Sequence, residues 1–336
     1  MIRASGIGSW PGVDVRETLT VLRELLGDHD NADGVSGVPY LPELPGRGPG
    51  SDLIGRSAGL LVGLPVDLQP MGWRFVDRPG RDAARTGALW SEDLDELAEA
   101  FDGYTGPLRL TVAGPWTLTA GIWLHRGERV IVDEGARRDV AESLAEGIRD
   151  LLATVQRLVP GADLALQVDE PSLPAALEGR LPTASGFGMM RAIDPQEALG
   201  ALRTVLAAAG ERHTVIHCCA AHPPLPLLRR TGATGLSVDT TLLSPRGWEG
   251  LAVAAEEGIA VYAGCVPTDP AAAWAPREIA EEVATAWHRV GLVPASLASL
   301  VITPACGLAD VMGPEAVRRQ RGCLEVAAEL AERAGS

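Results

Sequence analysis

Four potential metal ligands stand within six residues in the segment TVIHCCAAHPPL (214–225): His217, Cys218, Cys219 and His222. They directly follow an apolar run that reads as a strand. In a strand, residues i and i+2 face the same side, so His217 and Cys219 aim together and Cys218 points away. A His-x-Cys pair alone on an apolar strand is more often core packing than a ligand site. Two distant residues change that reading: Asp239 in LSVDTT (236–241) and Cys306 in TPACGL (303–308). One imidazole, two thiolates and a carboxylate make a donor set suited to tetrahedral Zn2+. Successive candidates are 2, 20 and 67 residues apart, unlike the short CxxC turns of a structural finger. Ligands drawn from three separate strand ends are typical of a catalytic zinc.

Such ligands need a scaffold that brings strand ends together. Short Val, Ile and Leu-rich runs alternate with longer amphipathic stretches, the pattern of repeated βα units around a parallel sheet. Strands are predicted at 3–10, 108–114, 162–170, 213–219, 234–240, 258–265 and 297–306, with an eighth hidden in the Pro/Gly-rich span 35–70. Helices are predicted at 137–159, 194–210 and 276–291, among others. The expected fold is α/β, a single (β/α)8 TIM barrel over 1–336, with 36–80 as a long irregular excursion over one mouth. A doubly wound open sheet is the alternative. Reactive groups in such barrels gather at the C-terminal ends of strands. Asp169 and Glu170, His217 and Cys219, Asp239, Cys265, and Cys306 all fall there.

The formal charge of −15, with 29 basic and 44 acidic residues, argues against nucleic acid or an anionic membrane surface as partner. No window approaches 18 uninterrupted apolar residues and no secretory leader is legible at the start, so the expected location is the cytoplasm. Five cysteines are an odd number and sit in the C-terminal part of the chain, which suits reduced thiols better than a disulfide framework. The eight tryptophans, Trp10, Trp73, Trp116 and Trp123 among them, read as core or rim packing.

Six segments in order resemble the C-terminal catalytic barrel of the cobalamin-independent methionine synthase family. That family belongs to a superfamily shared with uroporphyrinogen decarboxylase and the corrinoid-linked zinc methyltransferases. GIGSWPG (6–12) is similar to its Gly-Ser-Phe-Pro opening, AGPWTLTA (113–120) to its Gly-Pro-Val-Thr segment, and LQVDEPSL (166–173) to its Gln-Ile-Asp-Glu-Pro-Ala-Leu. IHCC (216–219) matches its His-x-Cys, LSVDTT falls where it places a metal-binding Glu, and TPACGL matches its Asn-Pro-Asp-Cys-Gly-Leu. The resemblance implies zinc on His217, Cys219, Cys306 and Asp239. It implies Gly8 and Ser9 at the substrate carboxylate and Asp169, with Glu170 beside it, at the ammonium group. The implied reaction is methylation of a thiol, homocysteine to methionine, with Asp169 and Cys265 as catalytic candidates.

Three departures stand beside the resemblance. Asp239 is one methylene shorter than Glu, so water, Cys218 or His222 are alternatives for the fourth ligand. The family's Asp-Ile-His element reads AGC here, which puts Cys265 where a catalytic His would be. The full-length family enzyme carries a second barrel that contributes to folate binding, so the methyl donor is either methylfolate or a methylated corrinoid protein. Further readings are a corrinoid-protein-dependent methyltransferase acting on another thiol, a uroporphyrinogen-decarboxylase-like enzyme, and a non-catalytic zinc-binding barrel. The decarboxylase would need a basic cleft and no metal, which the His-x-Cys and Cys306 oppose.

Overall fold

The computed structural model describes residues 1–28 and 34–335. Eight parallel strands form one curled sheet: β1 (Ile2–Ser5), β2 (Val35–Val38), β5 (Pro107–Ala113), β6 (Asp163–Asp169), β7 (Thr214–Cys218), β8 (Gly235–Asp239), β9 (Ala260–Val266) and β10 (Val301–Pro304). Their order is β2-β1-β10-β9-β8-β7-β6-β5. It advances around the sheet without the reversal point of a doubly wound fold, so that alternative does not describe this chain. The two end strands meet at one parallel bridge, Tyr40 to Arg109, where Arg109 N donates to Pro39 O and Leu41 N to Arg109 O, each at 3.0 Å. The result is an α/β fold of TIM-barrel-like form.

All seven predicted strands are present, and β2 supplies the eighth at the start of the Pro/Gly-rich span. The rest of 36–80 is more regular than predicted. It holds a helix, Leu53–Ala58, and an antiparallel hairpin of β3 (Val66–Gln69) and β4 (Gly72–Phe75). The sequence obscures this because the segments are four to six residues long and broken by Gly and Pro, too short for either period to register.

Long amphipathic helices cover the outer face of the sheet. In Glu134–Leu158, Asp133 caps the first turn by accepting from Ala136 N, and Val140, Leu144, Ile148, Leu151 and Val155 supply the buried stripe. Helices Arg81–Ala100 and Gly313–Ala334 pack their apolar faces in the same way. Among the described residues no helix is long and apolar enough to cross a membrane.

The inside of the sheet is unusually polar. Arg109 is wholly buried there, its guanidinium 5.6 Å from the ring centre of Tyr40 and 5.8 Å from that of Tyr262, and it donates to Gly6 O. Gln167 and Ser237 are fully buried, and Asp169 and His217 nearly so. Buried polar groups hold geometry only when partnered. Those left without a partner therefore point to what the sheet has been built to receive.

Candidate active site

The loops after β1, β2 and β10 meet at the C-terminal mouth of the sheet. Glu43 N donates to Gly8 O at 3.1 Å and Trp10 N to Glu43 O at 2.8 Å, so Glu43 lies beside Ser9. Leu308 N donates to Ser9 O at 2.9 Å, which brings the Cys306-Gly307 segment against the same loop. A Cβ on Gly307 would stand 1.9 Å from Ser9 Oγ and 3.2 Å from its Cβ, so the glycine leaves the Ser9 hydroxyl its present position. Gly8 is less confined, since a Cβ there would meet the Thr111 methyl at 3.2 Å.

His217, Cys219 and Cys306 converge across β7 and β10. Cys219 and Cys306 face each other, and the two thiols respond in opposite directions. Cys219 and then the His217 imidazole draw Cys306 well below the usual thiol range, while Cys219 is held far above it by Cys306 and by burial. His217 is 2 % exposed; its Nδ1 lies 2.9 Å from Ser237 Oγ and its Nε2 is buried without a hydrogen-bond partner. A histidine anchored at one nitrogen and open at the other is what a metal ligand requires. Among the described residues, however, no group of three or more His, Cys, Asp or Glu side chains stands in a metal-binding arrangement. The thiols face each other, and Asp239 Oδ1 accepts from Thr241 N at 2.9 Å and Thr241 Oγ1 at 2.6 Å. Burial raises the Asp239 carboxyl against those two bonds. The donor types fit zinc, but His217 and Asp239 are bonded to Ser237 and Thr241 and not gathered on one point.

The other predicted site residues separate into two groups. Asp169 ends β6 at the mouth, 6 % exposed, and its Oδ1 accepts from Gln167 Nε2 at 2.7 Å. Burial pushes its carboxyl up to about 6, against the pull of His217, the Gln167 bond and Arg109. Glu170 points the other way. Its oxygens accept from Trp116 N at 3.0 Å and from Thr117 N and Oγ1, each at 2.8 Å, so it holds the first turn of helix Pro115–Gly121. It is a structural clasp with no oxygen left for substrate. Cys265 likewise lies outside the mouth: it is buried in the apolar layer, where burial pushes its thiol up to about 12 and where it lies near Cys323 of Gly313–Ala334. Its neighbour Gly264 could bear no side chain, because a Cβ would approach Val238 O to 2.7 Å. Cys218 is buried in the core, and His222 is exposed on a groove beside helix Pro245–Glu256. The four named tryptophans are buried.

Glu43 is the site residue that sequence reasoning missed. It is 3 % exposed and Oε1 has no hydrogen-bond partner. Its carboxyl is pushed up to about 8, first by burial and then by the nearby Asp169. Two buried carboxyls thus share the mouth with no protein cation paired to either among the described residues.

No family model matches the chain, and no curated protein sequence matches it significantly. Solved structures do. A B12-independent methionine synthase from Shewanella sp. W3-18-1, in complex with selenomethionine, has the same fold with a TM-score of 0.61. The two chains are 13% identical, and the match covers 98% of this chain and 96% of the other.

Proposed function

We propose that the chain is a zinc-dependent methyltransferase that methylates a thiol, with homocysteine as acceptor and methionine as product, and that 1–336 work as one catalytic barrel. One observation carries this reading: a thiol–imidazole cluster and two buried carboxyls that form no ion pair among the described residues meet at one mouth. An α-amino acid thiol has an end for each. The shared fold with a methionine synthase in complex with selenomethionine supports it.

On this reading His217, Cys219 and Cys306 hold the metal, and Asp239 is the fourth donor once released from Thr241. Bound zinc would lower the pKa of a substrate thiol so that the thiolate accepts the methyl group at neutral pH. Ser237 keeps the His217 ring oriented with Nε2 free. Asp169 and Glu43 take the ammonium, and Gly8 and Ser9 take the carboxylate through backbone N–H and hydroxyl. Cys265 and Glu170 have no part in the chemistry.

A second reading concerns the donor. Large exposed apolar side chains lie on loops that follow the strands at the mouth: Val13, Phe187, Met189, Leu242 and Met312, with Phe187 99% exposed. A methylated corrinoid protein docked over the mouth would cover side chains of this kind. The B12-independence of the Shewanella enzyme of like fold favours methylfolate. Methionine formation by zinc-loaded protein, with methylfolate and methyl-corrinoid side by side, decides between them. Absence of product with either donor overturns the methyltransferase reading.

A further inference from the structure

We propose that Gln167 is a positioning residue that locks the ammonium acceptor to the carboxylate-binding loop, so that the two ends of the amino-acid substrate are recognised at a fixed spacing. This rests on the substrate reading above. Gln167 sits on β6 two residues before Asp169, on the same face of the strand, and is fully buried. Its Nε2 donates to Asp169 Oδ1 at 2.7 Å and to Ile7 O at 2.8 Å. Only the NH2 end of an amide can serve two acceptors, so the side chain has one orientation. Ile7 immediately precedes Gly8 and Ser9. A single amide therefore joins β6 to the loop after β1.

Thr111 of β5 stands against the same loop, with Oγ1 3.5 Å from Ile7 O and its methyl at the Gly8 face. The loop is thus fixed from two strands, and Asp169 is indexed to it. With Oδ1 engaged, Oδ2 has no protein donor among the described residues. The amide does not read as ordinary core hydrogen bonding, because its own Oε1 is buried without a partner. A residue retained only for stability would satisfy both ends, since an unpaired buried oxygen carries a cost.

The test measures binding by calorimetry to zinc-loaded protein, with homocysteine and with 4-mercaptobutyrate, which has the same thiol and carboxylate but no ammonium. Gln167→Met keeps the length and removes both donors. It should bind homocysteine about tenfold more weakly, the scale of one misdirected charge-assisted hydrogen bond, and bind 4-mercaptobutyrate like the wild type. Zinc content should not change. Gln167→Asn, which withdraws the amide by one methylene, should give the same selective loss and serves if Gln167→Met does not fold. Equal weakening of both ligands, or no weakening, overturns the positioning role. A wild type that does not prefer homocysteine to 4-mercaptobutyrate overturns the substrate reading itself, and the positioning role with it.

Discussion

His213, just before β7, and His217, near its C-terminal end, stand four residues apart, and their surroundings differ in one decisive way. At the far end from the mouth, His213 is bonded at both nitrogens, Nε2 to Tyr262 OH at 3.0 Å and Nδ1 to Thr234 Oγ1 at 2.7 Å, with its ring stacked on Tyr262. At the mouth, His217 is bonded at Nδ1 alone, and its buried Nε2 has no partner. The carboxyls repeat the contrast. Glu170 has both oxygens occupied by three donors, whereas Oε1 of Glu43 has none. At these two pairs of positions the saturated group belongs to the scaffold and the unsaturated one lies at the mouth.

The largest effect should come from the thiols. Cys219→Ser and Cys306→Ser should each lower zinc occupancy at least about tenfold at limiting metal, while Cys218→Ser, Cys265→Ser and Cys323→Ser stay near one zinc per chain. Metal analysis of the purified variants checks this, and full retention by both of the first two would break the contrast. Next come the carboxyls. Asp169→Asn and Glu43→Gln should weaken homocysteine binding, by about 1.5–3 kcal/mol for Asp169, with zinc unchanged. Glu170→Gln should instead lower the unfolding free energy by about 1–3 kcal/mol and leave binding intact. Calorimetry beside denaturant unfolding separates the two outcomes.

How far these roles could be read beforehand depends on strand parity. Alternation along TVIHCC separates His217 and Cys219 from Cys218, and the structure keeps that division. The same rule separates Asp169 from Glu170, since adjacent residues face opposite sides. Cys265 fails for the related reason that a one-residue shift turns a side chain from the mouth to the helices. Nothing in AGC shows that Gly264, and not Cys265, faces inward, and the register irregularity between Thr303 and Pro304 lies just beside it. Glu43 lies in YLPELPGRGPG, where Pro and Gly erase any period. Its one signal is an acid alone between residues that prove buried, Leu41 and Leu44.

Smaller effects sharpen the comparison from the scaffold side. His213→Ala should cost about 1–3 kcal/mol of stability by stranding Tyr262 OH, and should leave zinc content and homocysteine affinity unchanged. A loss of zinc there would blur the two ends of the strand. The last expectation is a pH dependence. Glu43 and Glu170 bind protons more tightly folded than unfolded, with carboxyls raised from 4.5 to about 8. Their contribution to stability is therefore complete below 4.5 and is lost as pH rises through about 8. Glu43→Gln should flatten this decline by a few degrees in Tm between the two limits. An unchanged slope would remove Glu43 from the set of buried, unpaired acids.

X-ray absorption at the zinc edge, before and after addition of homocysteine, tests the central claim most directly. Cys219 and Cys306 should give two sulfurs and His217 one nitrogen around the metal, with a third sulfur appearing when homocysteine is added. A sulfur count that homocysteine leaves unchanged, or a purified protein that takes up no zinc, would contradict the account.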